Sequence, residues 1–217
     1  MSTKRIIVLL LSLLLVAVGF SSCGDKYSDG ELIEAAKPLV EKSVTINDIF
    51  YGDGIPYAIG NIGNGAQSTG NYAPADPLYL DKIGVKSIED LKKLTSEVYS
   101  TGVCGVIFST KLSSVSDGSS IAGYAEYVEL PAGFCVYTKR TDYIGAKTTF
   151  HTDTLSVVSV KKDKATLKMN VTLVKGENFQ EREKEFSIIK EDGEWKLDSM
   201  TYIAWDGEAP SATLGAQ

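Results

Sequence analysis

Histidine is almost absent: His151 is the one imidazole in 217 residues. A Ser–His–Asp hydrolase needs that imidazole as its base, and no G-x-S-x-G elbow nominates a serine partner. Cys104 or Cys135 could pair with His151 as thiol and imidazole, but no flanking signature supports it. One histidine and two spare cysteines fall short of a closed zinc set. The nearest approach to a calcium loop, YGDGIPY at 51–57, lacks oxygen ligands at the required spacing. GNIGNG brings Gly60, Gly63 and Gly65 together without the Lys-Ser or Lys-Thr of a phosphate cradle. No metal or cofactor is therefore expected.

Basic charge is also scarce. Lys and Arg total 22 against 28 Asp and Glu, a net charge of −6. Such a chain has no electrostatic reason to bind nucleic acid. Hydrophobic residues make up 43% and charged residues 23%, which places the chain among globular proteins rather than disordered ones. At this length a core can be buried without metals or many disulfides.

What is present begins at the N-terminus. Lys4 and Arg5 precede an apolar run from Ile6 to Phe20. The run has the length of a secretory signal core and is short for a transmembrane helix, although an uncleaved anchor is the alternative. Small residues Ser21 and Ser22 then lead to Cys23. GFSSC resembles the lipobox of bacterial lipoproteins, with Phe20 where Leu is commonest. The resemblance implies cleavage after residue 22 and a diacylglycerol thioether on Cys23. The mature chain would be anchored to the extracytoplasmic face of a bacterial membrane without spanning it. Its partners would be the membrane, through that lipid, and a cell-envelope protein or glycan.

Cleavage removes Lys4 and Arg5 and no acid, so the net charge moves from −6 to −8. The acidic domain would stand off an anionic leaflet. Gly24–Gly30 reads as a tether reaching about 25 Å at most. With Cys23 lipidated, Cys104 and Cys135 remain as an even pair. Outside the cytoplasm they can form a disulfide or stay as two buried thiols, and spacing leaves both open.

The pattern divides the chain into a signal (1–22), a lipidated cysteine with its tether (23–30), one α+β domain (31–205) and a tail (206–217). Apolar residues from Leu32 to Phe50 recur at helical steps, with Asp29 as a candidate cap and Gly52 as the end. Pro38 predicts a kink or a restart. Residues 51–87 read as a long Gly- and Tyr-rich loop, in which Tyr51, Tyr57, Tyr72 and Tyr79 are candidates for holding a sugar or peptide. Packing over the core is the plainer role for them. SIEDLKKLTSEVYS opens a helix at Ser87, and VCGVIFSTKL predicts a second one with Val106, Ile107 and Phe108 in the core.

Beyond residue 123 the period changes to two. Strands are expected at 124–130, 134–139, 155–161, 165–174, 181–190 and 195–203, with Asp192-Gly193 as a tight turn. FQEREKEF reads as a solvated strand face.

Helices followed by antiparallel strands, ending in FSIIKEDGEWKLDSMTY, resemble the nuclear-transport-factor-two-like and cystatin-like superfamily. That resemblance implies N-terminal helices packed on one curved, cone-like sheet of about five to six strands. Its enzymes, isomerases and dehydratases, use an acid, Tyr or His inside the cone, which singles out Asp142, Tyr143 and His151. The lipobox, first helix and SIEDLKKLTSEVYS together look like uncharacterised lipoproteins of Firmicutes. A fainter similarity is to secreted inhibitors of cell-wall endopeptidases. The sequence thus favours a non-catalytic binding domain, with a small-molecule enzyme or a hydrolase inhibitor as alternatives.

Overall fold

A computed structural model describes residues 27–57, 71–112, 125–139 and 146–205. Cys23 and the lipobox, the Gly-rich stretch at 58–70, Asp142, Tyr143 and the tail at 206–217 lie outside the described residues. The architecture is α+β. Among the described residues there are four helices: α1 (Asp29–Tyr51), α2 (Pro77–Ile83), α3 (Ile88–Ser96) and α4 (Thr101–Lys111). Strands β1 (Tyr72–Pro74), β2 (Tyr127–Leu130) and β3 (Gly133–Tyr137) form one antiparallel sheet in the order β1-β3-β2. Strands β4 (Lys147–Lys161), β5 (Lys164–Lys175), β6 (Asn178–Glu191) and β7 (Glu194–Leu197) form a second, in sequence order. The strands thus fall into two open sheets rather than the single sheet expected.

Helix α1 starts one residue earlier than the Asp29 cap implied. Ser28 is the cap: its side chain accepts from the Glu31 amide while the Glu31 carboxylate accepts from the Ser28 amide. Leu32, Ala36, Leu39, Val40, Ile46, Ile49 and Phe50 are buried along one stripe, which packs across β4 and β7. Pro38 neither ends nor restarts the helix. Both Pro38 and Glu34, whose carbonyl loses its amide partner there, are exposed, so the break in the ladder lies on the solvent side of the helix. Gly52 closes the helix, and a Cβ there would lie 2.8 Å from the Asp48 Cα.

The long sheet follows from alternation. Ala165, Leu167, Met169, Val171 and Leu173 of β5 are buried on its inner face, joined by Phe186 and Ile188 of β6. Asp192 and Gly193 take φ of 50° and 86° in the β6–β7 turn, as a tight hairpin requires. β4 begins at Lys147, well before the expected residue 155, because Thr-rich KTTFHTDT continues the strand. On β6 the register corrects the reading of FQEREKEF. Glu181, Glu183 and Glu185 are exposed, but Arg182 and Lys184 fall opposite Val171 and Met169, on the inner side. Burial pulls the Lys184 ammonium below the usual lysine range.

A buried polar knot ties the chain's later part to α1. Thr201 Oγ1 lies 2.8 Å from both Ser43 Oγ and Asn47 Nδ2, and the Tyr99 hydroxyl donates to Asn47 Oδ1 at 2.8 Å. Tyr99 is 1% exposed, and burial pushes its phenol up to about 12. The unfolded chain titrates this group near 10. Its contribution is therefore intact below pH 10 and fades as pH rises towards 12, by about 3 kcal/mol. Urea unfolding from pH 8 to 11.5 should show a steeper loss for the native chain than for Tyr99→Phe, and parallel curves would refute this.

Candidate functional site

The outer face of the long sheet gathers the chemistry-bearing side chains. Pairing with β5 sets His151 beside Asn170 and Thr149 beside Thr172, and β6 brings Glu183 and Glu181 to the same two rows. Inward neighbours Phe150, Val171 and Leu173 take the core side, so alternation alone turns His151 outward. His151 Nε2 lies 2.8 Å from Thr172 Oγ1.

A β-bulge interrupts β4 between His151 and Ser156. Thr154 repairs the ladder there: its hydroxyl accepts from the Asn170 amide at 2.8 Å and donates to the His151 carbonyl at 2.7 Å. Here lies an open groove of about 470 Å³ whose lining includes His151, Thr154, Asn170, Thr172, Glu181 and Glu183, with Val171 and Arg182 also bordering it. At the hairpin tip beside it, Val174 and Phe179 pair directly, and Phe179 is 70% exposed.

The His151–Thr172 contact has the spacing of a base and its nucleophile, but that pairing also needs a third group to orient the base. Among the described residues His151 makes no further side-chain hydrogen bond to supply it. The groove is better suited to recognition: amide, hydroxyl, imidazole and carboxylate groups next to an exposed aromatic face. No group of three or more His, Cys, Asp or Glu among the described residues could hold a metal ion.

The four tyrosines sit on separate parts of the chain: Tyr51 on α1, Tyr57 after it, Tyr72 on β1 and Tyr79 on α2. Tyr51, at the end of α1, stacks on Tyr202 with centroids 4.8 Å apart, and Lys111 Nζ stands 5.1 Å above its ring. Tyr57 bridges to Ala75, while the Tyr72 hydroxyl donates to the Ala125 carbonyl at 3.0 Å. Tyr79 sits on α2, where burial and then the Asp48 and Asp53 carboxylates push its phenol up. Tyr51, Tyr57 and Tyr79 pack against the core, the plainer of the two roles.

Cys104 and Cys135 are free, buried thiols on α4 and β3, so the disulfide is not formed in this structure. Cys104 donates to the Tyr99 carbonyl at 3.5 Å. Burial pushes both thiols up, which keeps them protonated and unreactive. Cys104 borders a second groove of about 490 Å³ between α4 and the β6–β7 turn. Glu191 at that groove accepts from the Thr101 amide at 2.9 Å and hydroxyl at 3.0 Å, completing the start of α4. On α4, Ile107 is buried as expected, whereas Val106 is 37% exposed because it lies on the far side of the helix.

Thr166, Lys168, Asn170 and Thr172 alternate in the sequence with Ala165, Leu167, Met169, Val171 and Leu173, a local signal for the outer face. Thr154 and the bulge had no such signal. No protein-family model matches this chain, and no curated protein matches it.

Proposed function

We propose that this chain is a lipid-anchored, extracytoplasmic binding domain that offers the outer face of β4–β6 to a cell-envelope ligand. The observation that carries the reading is the groove at His151 beside the exposed Phe179–Val174 pair, on the face opposite the packed core. The lipobox at Ser21-Ser22-Cys23 supports the location. No helix among the described residues is long and apolar enough to cross a membrane, which is compatible with an anchor made of lipid. Helix α1 lying across an antiparallel sheet supports the cystatin-like and nuclear-transport-factor-two-like resemblance, while the separate three-stranded sheet has no place in a single cone.

Photocrosslinking in cells tests the site. A crosslinking side chain at Phe179 should capture an envelope component, and one at Glu34, exposed on α1, should not. Equal labelling at both positions, or none at Phe179, overturns the assignment. Capture of a wall hydrolase whose activity falls on binding would identify the domain as its inhibitor.

A further inference from the structure

The fold begins closer to the expected anchor than the tether reading allowed. Tyr27 is already part of the domain: its hydroxyl donates to Asp163 Oδ1 at 3.0 Å. Its ring meets Trp195 edge-on with centroids 4.9 Å apart. Lys190 Nζ lies over both rings, 5.0 Å from Tyr27 and 5.7 Å from Trp195. Only three residues separate Cys23 from Tyr27. Fully extended, that link spans about 14 Å between the two Cα atoms. A lipid on Cys23 fixes its own glycerol at the headgroup level, and the headgroup layer is itself about 5–8 Å thick on each side.

We infer that the Tyr27–Trp195–Lys190 end of the domain rests directly on the phospholipid headgroups of the leaflet that holds the anchor. This rests on the lipid-anchor reading and adds an orientation to it. The side chains suit the place: amphipathic rings and lysine stems partition to the headgroup level, with their polar ends towards water. Lys161 and Lys162 project from the neighbouring β4–β5 turn, exposed and without an ion pair among the described residues. Several carboxylates at this end have hydrogen-bond partners inside the domain but keep their charge. Glu31 holds Ser28, Asp163 holds Tyr27, Glu191 holds Thr101 and Glu194 pairs with Lys196 at 3.0 Å. Asp29, Glu31, Asp163, Asp192 and Glu194 are exposed acids that oppose contact, so the Tyr27 and Trp195 rings with Lys161, Lys162 and Lys190 must outweigh them. The exposed row Glu181, Glu183 and Glu185 lies towards the opposite end of β6, so an anionic leaflet repels that end and keeps the domain upright.

The test uses the full chain, expressed with its own leader, purified from membranes and returned to phosphatidylglycerol-containing vesicles. Trp205→Phe leaves Trp195 as the reporter. Headgroup contact predicts a blue-shifted Trp195 emission that shallow brominated lipid quenches and aqueous iodide does not. Lys161→Glu with Lys162→Glu should reduce that quenching while the chain still floats with the vesicles. A chain that floats but keeps Trp195 open to iodide overturns the orientation and leaves the anchor standing. A chain that does not float overturns both.

Discussion

Replacing Lys111 with Met should destabilise the domain by about 3–5 kcal/mol, because it strips a buried carboxylate of its ammonium. Lys111, the last residue of α4, forms an ion pair with Glu126 just before β2, and their side chains are 10% and 8% exposed. The Glu126 amide also donates to the Lys111 carbonyl at 2.7 Å, and its carbonyl accepts from the Tyr137 amide at 2.8 Å. The pair therefore joins α4 to the three-stranded sheet, with Tyr51 beneath the ammonium. For a domain of this size the loss corresponds to a fall in Tm on the order of 10 °C. Adding Glu126→Gln should recover most of the stability, since the cost lies in the stranded charge rather than in the missing attraction. Denaturant unfolding of both variants checks this. A single-variant loss below about 1 kcal/mol, the range of an exposed pair, would show that the site is wetter than its burial implies.

Behind an ordinary secretory leader, Cys23→Ala should move the chain from the membrane fraction to the soluble one. Each buried CH₂ contributes about 0.8 kcal/mol, so two acyl chains of ordinary length contribute on the order of 20 kcal/mol of membrane affinity. No contact between the folded domain and a leaflet approaches that. Fractionation of cells carrying the native and the altered chain decides the matter: identical partitioning would remove the lipid from the account, and with it the restriction of partners to the envelope. The unaltered chain should also incorporate labelled fatty acid, and the variant should not.

Much of the fold was legible where the signal was local. The alternation of ATLKMNVTLV gave β5, Ser87 marked the start of α3, and Asp192-Gly193 marked the last hairpin, because each depends on neighbours within a few residues. The signals of α2 are equally local, although they stand inside a stretch that reads as a loop. Asp76 caps it, Pro77 occupies its first turn and Gly84 ends it at φ 70°. The division into two sheets carried no local signal. β1 pairs with β3, setting Tyr72 against Tyr137 and Pro74 against Cys135 across some sixty intervening residues. Three residues of strand cannot announce such a partner.

The site was half legible for the same reason. His151 was visible as a lone imidazole, and Asn170 and Thr172 as an outward polar row. Their meeting depends on the register of β4 against β5, which the bulge at 152–155 shifts. That displacement is a property of the paired strands, held by one threonine hydroxyl, and no count of residues along a single strand contains it.

The length of β5 sets a clearance. Its twelve residues, Lys164 to Lys175, span about 40 Å as extended strand. Asp163, which binds Tyr27, lies at one end of that span, and Phe179 projects from the hairpin at the other. With the Tyr27 end on the leaflet, the hairpin tip is carried several times the depth of a headgroup layer above the bilayer. A partner flush with the membrane would pass beneath it. In that orientation, a cell-envelope partner of the outer face would have to stand tall from the bilayer or hang within reach from the wall.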